Sequence, residues 1–556
     1  LDANCSVSLT DVDSTDFAGG SVLVSRLTIP EPLLDQFENT DDGTQDLLGV
    51  RNQGTGAGQI GVSGNNVTYE GTVIGSFVSD GQGSNPLEIG LNASADAEAV
   101  EALIENLTYQ NLSDNPVESR QYRVQVSDGD GGTSEPAVVT VNITPELDGA
   151  EAVFEERTTN SFVAGSQDEP AVAGLADGGY VIVWESDEQD GTGSGIFGQR
   201  YSADGVIVGP EFLINTQVLG SQIDPQVVGL SGGGFVVTWT DQLSGADGSG
   251  WGVFAQRYGV DGQALGSQFQ VNSITVSSQY EPSIAALNDG GFLIAYRDGG
   301  SADGSADGVF AQRYDASGAT VGAEFQVNTQ TSSNQFDPSV ASLADGGFVI
   351  TWTSVNSGSA GDGDGWGTFA QRYNAAGNPV GGEFQVNTNT QSSQYEAVVA
   401  GLTGGGFVVS WRDDSALDSS ASGVFAQLYD AAGNPVGGEF RVNETTAGSE
   451  FEPTIAALDT GGFVIAWRDG SSFDDVYAQQ YDAAGNRIDG EFLVNTETDS
   501  TQASPVVAGL PNGNFVVAWQ SFTSGTAGDG SNYGISHQLF GNVGDFSSQA
   551  APELEA

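Results

Sequence analysis

Apolar and polar positions alternate over short runs along most of the chain. From about residue 150 onward these runs recur in a fixed order. One unit shows the pattern: PSIAAL at Pro282–Leu287, GGFLIAY at Gly290–Tyr296, GVFAQRY at Gly308–Tyr314 and EFQVN at Glu324–Asn328. Runs of this length with a period of two, bounded by Gly, Asp, Asn and Ser, predict β-strands joined by tight turns. The second run of each unit ends in an aromatic residue, at Trp184, Trp239, Tyr296, Trp352, Trp411, Trp467 and Trp519. These stand between fifty and sixty residues apart, so the chain contains a structural repeat.

Four antiparallel strands per unit, labelled a to d, suit the blade of a β-propeller. Strands a, b and c each occur seven times, but EFxxN-type d strands only six. AVFEERT, at Ala152–Thr158, precedes the first strand a and supplies the seventh. A ring closed in this way leaves no unpaired sheet edge, which an open array would not require. The expected fold is therefore all-β, with a seven-bladed β-propeller over residues 149–546, closed by its N-terminal strand, and a polar tail at 547–556.

Residues 1–148 read differently. Strand patterns at VLVSRLTI, NVTYEGTVIGSFV, RQYRVQVSD and AVVTVNIT surround one amphipathic segment. There Val100, Leu103, Ile104 and Leu107 fall on one helical face, predicting a helix from about Asp96 to Leu107. Strands with a single short helix and Gly/Asp turns suggest an Ig-like β-sandwich. The pieces LTDVDSTDFAGG, IENLTYQNLSDNP and VSDGDGGTSEPAVVTVNIT resemble the cadherin-like modules of large bacterial surface proteins. That resemblance implies Ca²⁺ held by carboxylates at the sandwich ends, with Asp11, Asp13, Asp16, Asp128 and Asp130 as candidates. The alternative reading makes DVDS and DGDGG ordinary turns, where Asp and Gly are expected anyway. The repeat consensus, DGGFVVTW…GVFAQRYDAAGNPVGGEFQVN, is similar to propeller-like repeats of long secreted bacterial proteins.

Composition sharpens the picture. Asp and Glu total 74 against 14 basic residues, all Arg, for a formal net charge of −60. Such a surface repels nucleic acid and anionic membranes and favours cations as partners. No apolar run approaches the ~18 residues of a membrane-spanning helix. The single cysteine, Cys5, excludes a disulfide framework. Together these features predict a secreted or cell-surface protein without membrane insertion.

The acids are not scattered. One precedes strand a in six units: Glu169, Asp224, Glu281, Asp337, Glu396 and Glu452, with Ser504 in the seventh. Strand a is innermost in a blade, so these carboxylates are expected to ring the mouth of the central channel. Crowding there would raise pKa values or recruit Ca²⁺; equally, each acid could simply cap the start of its own strand. The strand-b aromatics are expected to be core. Trp251, Trp366 and Tyr533 sit in loops just before strand c and are the candidate ligand-binding aromatics. The only histidine is His537, and Lys is absent, so no nucleophile–base constellation stands out. The expected function is a non-enzymatic structural or adhesive protein of a surface layer, matrix or adhesin, stabilised by calcium and open to self-assembly. A glycan-binding, lectin-like propeller is the alternative, with a calcium-dependent hydrolase behind it.

Overall fold

The computed structural model describes residues 16–26, 46–81, 85–111, 119–142, 150–154, 156–242, 250–300, 302–304, 306–355, 365–415, 422–445, 448–470, 474–511, 513–522 and 533–542. They fall into two compact units, one before Gly149 and the other Gly149–Asn542.

The first unit contains β1 (Ser21–Arg26), β2 (Asp46–Val50), β3 (Ile60–Ser63), β4 (Asn66–Tyr69), β5 (Thr72–Asp80), β6 (Leu87–Leu91), β7 (Leu107–Asn111), β8 (Ser119–Ser127), β9 (Ala137–Asn142) and helix α1 (Ala97–Glu105). Asp96 starts the helix by accepting the Ala99 N–H at 2.9 Å, as an N-cap does. Val100 and Leu103 on its inner face are fully buried, in one core with Val22, Val24, Leu87 and Ile89 of the sheet. Seven strands form a single antiparallel sheet in the order β3-β4-β5-β6-β1-β8-β9, and β2 pairs with β7 as a separate ribbon. The expected Ig/cadherin-like sandwich is therefore corrected: the first strands join one large sheet, and two facing multi-stranded sheets are not seen among the described residues. Alternation along a strand shows that one face is buried. It carries no information about which sheet the strand enters.

The second unit is the seven-bladed propeller. Six blades are four-stranded sheets with strands in sequence order; the first is Gln167–Gly174, Tyr180–Asp187, Ser194–Tyr201 and Ile207–Leu213. The seventh takes strands a to c from Gln502–Gly509, Phe515–Phe522 and Tyr533–Asn542. Its outer strand is Ala150–Ala152 and Arg157–Thr158, paired with Tyr533–Asn542. The N-terminal strand thus closes the ring. Thr159 Oγ1 lies 2.8 Å from His537 Nδ1, and Asn160 Oδ1 accepts the Ile535 N–H at 2.8 Å.

Strand b is buried on both faces, and its residues alternate between two neighbours. Phe348, Ile350 and Trp352 pack with blade 3, whereas Val349 packs with Val409 and Trp411 of blade 5. Such a core exists at every junction, including blade 7 to blade 1, where Trp184 meets Val516 and Leu539. The strand-b aromatics are at most 2% exposed, as a core role requires. Gly, Ala and Ser recur in strand a because the inner strands converge. A Cβ on Gly229 would lie 2.0 Å from the Gly174 carbonyl oxygen, and one on Gly401 1.9 Å from that of Ser342. The inner strands, through residues that include Gly174 and Gly229, line a channel of about 360 Å³.

Candidate active site

Each strand a begins with the sequence Gln-X-(Asp/Glu)-Pro or a close variant. The acid lies in a bulge: strand pairing skips from Asp168 to Ala171 in blade 1, from Ile223 to Gln226 in blade 2, and similarly around the ring. Its backbone is left-handed, with φ between 48° at Glu169 and 57° at Glu396, and Ser504 shares this conformation at 48°. A bulge of this kind breaks the ladder and re-aims one side chain. It leaves N–H groups for the neighbouring blade to satisfy. Glu281 accepts the Asp337 N–H (3.3 Å), Glu396 that of Glu452 (2.9 Å) and Glu452 that of Ser504 (2.7 Å). The recurring acid therefore has a structural role and also gathers carboxylates at the inner strands.

Three blades neutralise this charge. Arg297, Arg412 and Arg468 follow the strand-b aromatic, and each bridges its own blade's strand-a acid to a second one. Arg297 binds Glu281 at 2.9 Å and also Asp307. Arg412 binds Glu396 at 3.7 Å and Asp414 at 2.9 Å. Arg468 binds Glu452 at 3.0 Å and also Asp474. Aromatic rings complete the arrangement, with Arg297 over Tyr280 and Phe336, Arg412 over Tyr395 and Phe451, and Arg468 over Phe451.

Blade 1 departs from the repeat at both positions. Glu185 stands where those blades carry Arg, and Asp168 stands where they carry Tyr or Phe. Four acids, Asp168, Glu169, Glu185 and Asp224, then interact electrostatically with no Arg among them. Glu169 is solvent-exposed at the start of its strand, yet partial desolvation, with Asp224 nearby, pushes its carboxyl up to about 7. Burial, reinforced by Glu169, Asp224 and Asp168, pushes Glu185 up to about 8. Asp168 rises to about 6 through burial and Asp187. Asp224 is also raised by burial, but hydrogen bonds from Glu169 and from the Thr240 hydroxyl (3.3 Å) favour its ionised form. Near neutral pH Glu185 therefore keeps its proton, Glu169 titrates and Asp168 is mostly ionised. Environments that push paired carboxyls apart in this way define an acid and a base. In blade 4, burial and the neighbouring Glu281 and Glu396 raise Asp337 to about 7, with Thr353 in the Arg position.

The strand-a acids named from the sequence thus gather at the inner strands, whereas Glu185 and Asp168 were not among them. The signal was available: aligning the seven units shows Glu185 in an Arg/Thr/Gln position. Of the three candidate aromatics, Trp251 lies just before strand c, whereas Trp366 and Tyr533 are the first residues of theirs. Trp251 and Trp366 are each 37% exposed, and Tyr533 is half-buried against Phe522. The strand-c glutamines serve their own blades; Gln427 Nε2, for example, donates to the Leu428 and Val436 carbonyls.

In the first unit, Asp11 and Asp13 lie outside the described residues. Asp16 caps a turn by accepting the Ala18 N–H, and Asp128 accepts the N–H groups of Asp130, Gly131 and Gly132. Among the described residues no group of three or more His, Cys, Asp or Glu side chains is arranged to hold a metal ion. No described helix is long and apolar enough to cross a membrane.

No family model matches the chain, and no curated protein does. Solved structures share its ring. A protein of unknown function from Dyadobacter fermentans is 13% identical, covering 70% of this chain and 99% of its own, with a TM-score of 0.42. An ulvan lyase of polysaccharide lyase family PL25 is 10% identical over 69% and 96%, with a TM-score of 0.46. The GH93 α-L-arabinofuranosidase of Fusarium graminearum is 11% identical over 70% and 97%, with a TM-score of 0.38. Likeness at this level concerns the fold alone. The expectation of a non-enzymatic structural or adhesive protein is corrected on the ring itself: Asp168, Glu169 and Glu185 form a cluster of interacting carboxyl groups with raised and unequal pKa values.

Proposed function

We propose that the protein is a glycan-processing enzyme, a glycoside hydrolase acting on neutral sugars at the channel mouth over blades 1 and 2. The observation that carries this reading is the carboxyl pair Glu169–Asp224, with Glu185 beside it, in the sector where the repeat omits its Arg. Hydrolysing an acetal requires one group to protonate the leaving oxygen and a carboxylate to activate water or stabilise the oxocarbenium-like transition state. Glu169, which keeps its proton below about pH 7, serves as the acid; Asp224, whose hydrogen bonds from Glu169 and Thr240 favour its ionised form, serves as its partner. Glu185, protonated up to about pH 8, limits the negative charge of the cluster.

The same charge argues for the substrate class. β-Elimination of a uronate needs its carboxylate neutralised, and the carboxyl cluster of blades 1 and 2 contains no Arg to do so. A neutral glycan meets no such barrier.

The test is reducing-end release from a panel of neutral polysaccharides as a function of pH. Activity is expected to fall as pH rises through about 7, where Glu169 loses its proton. Glu169→Gln and Asp224→Asn should each lower kcat by at least about a hundredfold. Wild-type protein inactive on every neutral glycan, or full activity in Asp224→Asn, would overturn the assignment.

A further inference from the structure

Resting on the glycosidase reading, we infer that Trp251 is a sugar-stacking subsite, taking one neutral sugar ring of the glycan whose scissile bond lies at Asp224. The first observation is position. Asp224 starts strand a of blade 2, and the Thr240 hydroxyl of strand b donates to it. Thr240 pairs with Val253 of strand c, and Trp251 lies two residues before Val253. Carboxylate, hydroxyl and indole therefore follow one another across the same end of one blade.

The second observation is that the fold does not require an aromatic there. The equivalent residues in the other units are Ser194, Asp307, Trp366, Ser422, Asp474 and Tyr533. Asp307 and Asp474 occupy it to bind Arg297 and Arg468. Aromatics appear only in blades 2, 4 and 7, where Thr240, Thr353 and Gln520 replace the Arg. The strand-b aromatics, in contrast, occur in all seven blades and are buried.

The third observation is that Trp251 is exposed yet held in place. It is 37% exposed, and its ring meets Tyr280 edge to face at 5.9 Å. Tyr280 lies under the Arg297 guanidinium at 4.8 Å, and Arg297 is itself ion-paired. The Trp251 backbone donates to Ser278 Oγ at 3.2 Å and accepts the Gln279 N–H at 3.0 Å. A fixed aromatic plane at the end of the blade that carries Asp224 suits a sugar: the sugar's C–H face covers the indole and its hydroxyls reach toward that carboxyl group. A single ring of this kind is too small for a protein interface, which buries far more area.

The test uses the full chain carrying Glu169→Gln, so that binding is read without turnover. Linear neutral hexaoses of glucose, xylose, mannose and arabinose, together with a uronate hexaose, are titrated by calorimetry. Trp251→Ala is expected to weaken the best neutral hexaose by at least about tenfold, and Trp251→Phe should restore most of that loss. Trp366→Ala, in blade 4 where the acids beside Asp337 are ion-paired with Arg297 and Arg412, should change it less than about threefold. A hexaose cleaved by wild type but bound equally well after Trp251→Ala would overturn the inference and leave the glycosidase reading standing. A larger loss in Trp366→Ala than in Trp251→Ala, or tighter binding of the uronate hexaose, would also overturn it. No hexaose bound or cleaved by any variant would remove both.

Discussion

Replacing Glu185 with Gln isolates the energetic consequence of breaking the repeat. In the unfolded chain Glu185 titrates near the ordinary value of 4.5, whereas in the ring it holds its proton up to about pH 8. The folded pKa is the higher one, so the native state binds more protons over this interval. Below about pH 4.5 both states are protonated and the group costs nothing. As pH rises toward 8, stability is lost at up to about 1.4 kcal/mol per pH unit. At pH 7 the cost reaches about 3 kcal/mol as an upper bound, and solvent at the channel mouth roughly halves it. Glu185→Gln keeps the shape and cannot ionise. The variant is therefore expected to be more stable than wild type by about 1–3 kcal/mol at neutral pH and indistinguishable at about pH 4.5. Urea unfolding midpoints, followed by tryptophan fluorescence across this range, measure the difference. A gain in stability with loss of activity would match a strained functional site. Parallel midpoint curves for wild type and variant would refute the reasoning, because a carboxyl titrating normally gives no differential slope.

Two further predictions concern the scaffold. Burial, with Arg157 nearby, depresses His537 from 6.5 to about 3. The native ring therefore resists its protonation, and stability is lost as pH falls below about 6.5, by about 3 kcal/mol at pH 4.5. His537→Ala restores the Gly/Ala found at this position in the other blades and should lack that slope in acid unfolding curves. Trp411→Ala empties a buried inter-blade site and is expected to cost about 3–5 kcal/mol. Trp366→Ala, at a partly exposed position that opens strand c, should cost less than about 1 kcal/mol in the same chemical denaturation assay.

The ring was legible in the sequence because each blade repeats the same physical solution. Trp239 and its equivalents recur since both faces of strand b must fill an inter-blade core. The missing seventh d strand pointed to Ala152–Thr158 because a closed ring has to pair every edge. The first unit was less legible. The alternation at Val22 and Val24 predicts a half-buried strand, but nothing in it says that β1 lies between β6 and β8 of a single sheet. The candidate site was half visible. Glu169 and Asp224 stood out as recurrent acids, yet recurrence signals what every blade needs. Glu185 and Asp168 matter because they do not recur, and reading along the chain hides such departures. Their raised pKa values arise from burial and from mutual repulsion across blades 1 and 2, which sequence spacing does not encode. Trp251 and Trp366 were separable from the core aromatics because they lie at the start of strand c rather than within strand b.

Hydrolysis in heavy-oxygen water tests the central claim most directly. A neutral oligosaccharide incubated with the protein and analysed by mass spectrometry should gain one solvent oxygen per cleavage, and the Glu169→Gln protein should leave it intact. An unsaturated product without solvent oxygen, or no cleavage of any neutral glycan, would contradict the account.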